Sequence, residues 1–98
     1  MIAGGDIAVA DLGGERRHRV LVMSNARFHR LSERALVAPE EVAPPAEVIA
    51  PWTVEAAGAT FAIDLVRSIP VERLLEVVDA ASIAEARRAQ RALRAILS

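Results

Sequence analysis

The chain has no cysteine, no lysine and very few aromatic side chains, and each absence narrows what it can be. Without cysteine there is no disulfide, no thiolate zinc site and no cysteine nucleophile, and the redox compartment stays open. Aromatics make up 3% of the chain against 53% hydrophobic residues, so the core must be built from Val, Ile, Leu and Ala, with few rings left to stack on bases. No run approaches the roughly 20 apolar residues of a membrane span. The start, Met1-Ile2-Ala3-Gly4-Gly5-Asp6, lacks a basic region followed by an apolar stretch. A soluble cytoplasmic protein with no membrane partner is expected. Metal-ligand spacing, a Gly-rich phosphate loop and a serine-histidine triad signature are also missing, so no metal and no cofactor is expected.

A length of 98 residues argues for one domain, 1–98, whose small core is marginal alone and would gain from dimerisation. The formal charge of -1 conceals a segregation, because all 12 basic residues are arginine and position matters more than the sum. Between residues 15 and 34 stand Arg16, Arg17, Arg19, Arg27, Arg30 and Arg34 against Glu15 and Glu33. A basic sector on a near-neutral chain points to an anionic partner, with a solvated face as the alternative.

Apolar periodicity predicts strands first and a helix last. Ile7, Val9 and Leu12 lead into Gly13-Gly14, a hairpin turn, and Val20 to Met23 form the return strand. Ala26 to Arg34 reads as a loop or one short helical turn, with His29 isolated in it. Ala35 to Ala38 is a third strand stopped by Pro39. Glu40 to Pro51 reads as a long loop with a strand at Glu47 to Ile49. Trp52 to Glu55 and Ala59 to Leu65 make a second hairpin around Ala56-Ala57-Gly58. Pro70 to Leu75 is a helical turn, and Ser82-Ile83-Ala84-Glu85 fits a capping box opening the last helix, whose apolar stripe is Ile83, Ala86, Leu93, Ile96 and Leu97. Phe28 and Phe61 read as core anchors, and Trp52 as a packing residue.

Two segments combine a strand pattern with charge: His18-Arg19-Val20-Leu21-Val22-Met23-Ser24-Asn25 and Ala62-Ile63-Asp64-Leu65-Val66-Arg67-Ser68-Ile69. With Gly5-Asp6-Ile7 before them and Arg73-Leu74 after, their order and spacing resemble the MazF/PemK toxins, small endoribonucleases of bacterial toxin-antitoxin pairs. The resemblance covers nearly the whole chain. It implies a mainly β (α+β) fold, a small bent antiparallel sheet forming an SH3-like barrel of the MazF/CcdB type, with a C-terminal α-helix. It also implies a homodimer, a single-stranded RNA substrate, and a cognate antitoxin whose disordered acidic segment competes for the same arginines.

Cleavage through the ribose 2′-hydroxyl needs a base, a cation for the phosphorane and an acid for the leaving 5′-oxygen, with no metal required. Arg19 matches the family arginine and suits the cation role, because its planar fork grips phosphate oxygens and stays charged. Glu15 and His18 are both candidates for base or acid. Asp64 matches a PemK-like active-site aspartate, although Ala62 replaces the arginine two residues earlier; otherwise Asp64 pairs with Arg19. Arg16, Arg17, Ser24 and Arg27 are expected to touch RNA, and Arg67 to fix the turn into Ser68-Ile69-Pro70. Two departures stand out: Val20 replaces the family's proline after the arginine, and Glu41 occupies the hydroxyl position of a Pro-x-Thr motif beginning at Pro39. Three outcomes follow from the second: Glu41 acts as base, Ser24 or Ser68 supplies the hydroxyl, or catalysis is lost. The alternative functions are a CcdB-like poison of DNA gyrase, although the Trp-Gly-Ile tail is absent, and an interaction module in which Arg87, Arg88, Arg91 and Arg94 meet an acidic partner.

Overall fold

A computed structural model of the protein describes residues 2–41 and 52–98. Strand β1 (Asp6–Asp11) turns through Gly13, at φ 98°, into β2 (Arg17–Val22), as the Gly-Gly pair predicts. Helix α1 (Ala26–Ser32) follows, and β3 (Arg34–Pro39) runs back beside β2. After the undescribed stretch come the hairpin β4 (Thr53–Ala56) and β5 (Ala59–Ala62), a 3-10 turn at Ile63–Leu65, and β6 (Arg67–Pro70). A second 3-10 turn at Val71–Arg73 leads to β7 (Leu74–Ala80), and α2 (Ile83–Leu97) ends the chain. The larger sheet has the antiparallel order β6-β3-β2-β1-β7, and β4-β5 forms a separate pair. This is the mainly β fold with a C-terminal helix that the sequence predicts.

Strand alternation divides the apolar residues between two cores. Leu21 joins Ile7, Ala38, Phe61 and Ile63 beneath α2, while its neighbours Val20 and Val22 join Ala8, Ala10, Val37 and Ile69 on the other face. The buried residues of this second core all come from the larger sheet, which therefore curls around them. Register shifts between β1 and β7, at Ile7/Ala8 and Val9/Ala10, supply extra residues that sharpen the bend.

Several local expectations need correction. Ala26 to Arg34 holds a two-turn helix because Asn25 Oδ1 accepts the Phe28 amide at 2.9 Å, and Glu33 closes it in the left-handed region with its amide on His29 O. His29 is therefore helical and buried, while Phe28 is 39% exposed and anchors no core. The β5 strand stops at Ala62, so Ile63, Asp64 and Leu65 lie in a 3-10 turn and not on a return strand. The β4–β5 turn is the two-residue Ala57-Gly58, both with positive φ, a primed-turn geometry matching strand twist. The turn after Pro70 ends at Arg73, and Leu75 belongs to β7, a strand not anticipated because six of its seven residues are exposed. On α2 the buried residues are Ala89 and Ala92, whereas Ile83, Ile96 and Leu97 face outward. The expected strand at Glu47 to Ile49 lies outside the described residues.

The capping box is present, and it reaches further than the helix. Ser82 Oγ accepts the Glu85 amide, while Glu85 Oε1 accepts the amides of Ser82 at 2.8 Å and of Ala57 at 3.4 Å, tying α2 to the β4–β5 turn. These amides, Ser82 first, hold the Glu85 carboxyl below its ordinary value against a smaller opposing effect of burial. A depressed folded pKa means the stabilisation is complete above the unfolded value and is lost as pH falls through the folded one. Below about pH 4.3, protection from hydrogen exchange, relative to the intrinsic rate at each pH, should therefore fall at the Ser82, Glu85 and Ala57 amides, and Glu85→Gln should remove that pH dependence. Phe61, wholly buried between the sheets, supplies a second test: Phe61→Ala should cost about 3–5 kcal/mol in urea unfolding.

Candidate functional site

The site begins where β2 and β3 pair at Val20 and Pro39. Pro39 is the last residue of β3, and the next amide, of Glu40, donates to Arg19 O at 2.9 Å. Neighbouring amides in a strand point opposite ways, so Pro39 turns its missing donor toward the side where β6 has already ended at Arg67. Proline costs nothing there. Glu40 then bridges to Phe61, and the Glu41 amide donates to Thr60 O at 2.8 Å, so Glu40 and Glu41 stitch the two sheets together and are not loop residues.

This junction forms one wall of an open cleft of about 830 Å³ lined by His18, Pro39, Glu40, Glu41, Leu65 and Arg67, with Gly13 and Gly14 at the β1–β2 turn. Arg19 stands beside it on the opposite face of β2 from His18, as alternation requires. Its Nη2 lies 2.5 Å from Glu40 Oε2, an oxygen sealed from solvent. No hydrogen bond of good geometry reaches that oxygen, so the contact is one of charge. The two side chains differ in exposure, 47% for Arg19 and 16% for Glu40: the anion lies inside and the cation lies over it. Arg19 therefore pairs with an acidic neighbour, but with Glu40 and not with Asp64, the partner offered as the alternative reading.

The other expected site residues divide into those near the cleft and those away from it. Glu15 and Arg16 are exposed in the turn above it, with no ion pair among the described residues. Arg17 is engaged with Asp11 at 3.2 Å. The Asp11 carboxyl is held below its ordinary value first by the Gly13 amide, then, against some opposing burial, by Arg17 and Arg73. Asp64 is exposed on the 3-10 turn next to Leu65, and no side chain among the described residues binds it. Arg27 sits on α1, beyond the other end of β2 from Arg17 and Arg19, so the expected RNA-binding set is not one patch.

Ser24 is buried and fully used, which removes it as an RNA contact. The Ile2 carbonyl can only accept, so His29 Nδ1 donates to it at 3.0 Å; in the neutral ring Nε2 then accepts from Ser24 Oγ at 2.6 Å, and Oγ accepts the Leu36 amide at 2.9 Å. Ser68 Oγ receives Arg34 Nε at 2.7 Å and keeps its own proton to donate. Neither serine is among the residues lining the cleft. Arg67 was read as a structural arginine, yet it is exposed, lines the cleft and has no ion pair among the described residues. The sequence signal for Glu40 was its place directly after Pro39, which strand register sets opposite Arg19. Among the described residues no cluster of His, Cys, Asp and Glu could hold a metal ion.

The Arg19–Glu40 contact makes a thermodynamic prediction. Arg19→Ala should cost about 1–3 kcal/mol by stranding the Glu40 carboxylate, and Glu40→Ala added to it should recover part of that loss in urea unfolding. Additive losses in the double variant would show that the two side chains are not coupled.

No family model matches the sequence, and no curated protein matches it. Solved structures do resemble it. An endoribonuclease from a Mycobacterial species, in complex with its cognate antitoxin, superposes with a TM-score of 0.84 at 17% identity over 99% of this chain and 95% of that one. MazE-MazF from Deinococcus radiodurans gives 0.83 at 16% identity, over 99% and 95% of the respective chains. The Mycobacterium tuberculosis toxin MazF-mt6 gives 0.75 at 15% identity, over 94% and 95%. Identity at this level establishes a shared fold.

Proposed function

We propose that this chain, which has the fold of the MazF proteins, is the toxin of a toxin-antitoxin pair and a metal-independent endoribonuclease acting on single-stranded RNA in the cytoplasm. The observation that carries this reading is Arg19, a half-exposed guanidinium held against Glu40, which itself lines the cleft. The reaction would run by attack of the ribose 2′-oxygen on the adjacent phosphorus. A base takes the 2′ proton, Arg19 stabilises the phosphorane oxygens, and the 5′-oxygen leaves with a proton from an acid, giving a 2′,3′-cyclic phosphate. His18 and Glu41, both on the cleft and both without a side-chain partner among the described residues, are the groups best placed to exchange those protons. Glu15 above the turn and Asp64 beside Leu65 lie at its margin. Arg67 on the cleft and Arg16 in the turn, neither in an ion pair among the described residues, would meet flanking phosphates.

The partners follow from the same fold. Strand β7 is one edge of the larger sheet and exposes Leu75, Val77 and Val78 by 50%, 45% and 45%, apolar surface suited to a second copy of the chain. An antitoxin with an acidic segment would neutralise the same arginines, as expected for a complex of the kind seen in two of the similar structures. No helix among the described residues is long and apolar enough to cross a membrane. The MazF neighbours lend the gyrase-poisoning alternative no support.

Purified protein incubated with total RNA in chelator should cut it, and Arg19→Lys should slow cutting by about 100-fold while leaving the melting temperature near that of the wild type. Lysine keeps the charge over Glu40 but lacks the fork that grips phosphate. Intact RNA with wild-type protein, above all together with blocked gyrase, would overturn the reading.

A further inference from the structure

The Glu40 backbone is held from two directions. Its amide donates to Arg19 O, it bridges to Phe61 of β5, and the next amide is bound by Thr60 O. A side chain rooted this firmly has only its own torsions left to move, and burial restricts those further. Its Oε2 is sealed from solvent directly beneath Arg19 Nη2. Most surface ion pairs are exposed on both sides and order neither partner. Here the exposure is one-sided, and the guanidinium, with five donors in a rigid fork, rests one end against the carboxylate by charge while much of it stays accessible.

We propose that Glu40 is the positioning residue of this site: its sealed carboxylate holds the Arg19 guanidinium by charge from the buried side, so that the guanidinium donors are presented in a fixed orientation to an RNA phosphate. The proposal rests on the nuclease reading above. Two rival roles fit the geometry less well. As a competitor for phosphate, Glu40 would have to occupy the outer face of the guanidinium, yet it lies on the inner one. As the general base it would have to bring a free oxygen within about 3 Å of the ribose hydroxyl, and the oxygen that meets Arg19 is closed to solvent. A flexible arginine must be ordered afresh for each phosphate it binds, whereas a held one has its orientation set before RNA arrives.

Wild type, Glu40→Gln and Glu40→Asp would be compared on a short RNA containing the cleaved sequence, in chelator, by single-turnover cleavage, RNA affinity, melting temperature and pH profile. The rotation of the Arg19 guanidinium would be followed by nitrogen-15 NMR in the absence of RNA. Positioning predicts hindered rotation in the wild type and free rotation in both variants. It also predicts a 10- to 100-fold slower cleavage step on the basis of preorganisation, affinity changed less than about threefold, and both limbs of the pH profile retained. Loss of one limb in Glu40→Gln would make Glu40 the base, and faster cleavage would make it a competitor; either overturns the proposal. Parallel loss of affinity, cleavage and melting temperature in both variants would leave only a structural ion pair and overturn it as well. A wild type with hindered Arg19 that leaves RNA intact defeats the nuclease reading itself and this role with it. Active wild type with unimpaired variants defeats this inference alone.

Discussion

The stitch at the end of β3 is the constraint on which the rest of the molecule depends. Pro39 can end that strand cheaply because β6 no longer flanks it, and the chain then passes from the larger sheet to the smaller one through Glu40 and Glu41. That passage lays the β4–β5 hairpin over the face where Leu21, Ala38 and Phe61 are buried. It also sets Glu40 across from Arg19. One backbone connection therefore closes a core and orders a site, two tasks that a chain of 98 residues can hardly assign to separate elements.

The composition of the core has a consequence for assembly. Ala8, Ala10, Ala35, Ala38, Ala56, Ala59, Ala62, Ala89 and Ala92 are all buried, so elements approach closely but each contact removes little apolar surface from water. Larger apolar side chains are spent outside: Leu75, Val77 and Val78 on β7, and Ile83, Ile96 and Leu97 on α2. A second copy covering the β7 edge would gain what the small internal residues do not provide, and would complete the hydrogen bonding of an edge strand.

Much of this architecture was legible because it rests on local chemistry. Gly13-Gly14 announced the first hairpin, Ser82 with Glu85 the last helix, and the β-branched run at Val20 the central strand. What escaped notice depended on tertiary neighbours. β7 lacks a buried face, so neither alternation nor a continuous apolar run betrays it, and only pairing with β1 makes it a strand. Asp64 sits in a pattern that continues β5, yet the chain breaks into a 3-10 turn at Ile63, where the side chain drops into the core. Arg19 stood out in the sequence by its motif, and its partner Glu40 did not, because register between β2 and β3 cannot be read before the strands are placed. Ser24 and His29 look like free polar groups in sequence and prove to be each other's partners.

The acid at position 41 need not forbid a phosphate. Counting formal charges of the acids and arginines around the cleft, Glu40 is matched by Arg19 and the remaining Glu41 by Arg67. The net field is near zero, so any preference for phosphate must come from the orientation of donors at short range, since long-range attraction falls away within about 8–10 Å in salt. A hydroxyl at position 41 would add one donor to such a site; an anion there adds a proton acceptor and removes none of the guanidinium donors. Glu41 thus differs from a hydroxyl by its charge, and it lines the same cleft as Arg67, whose charge is opposite.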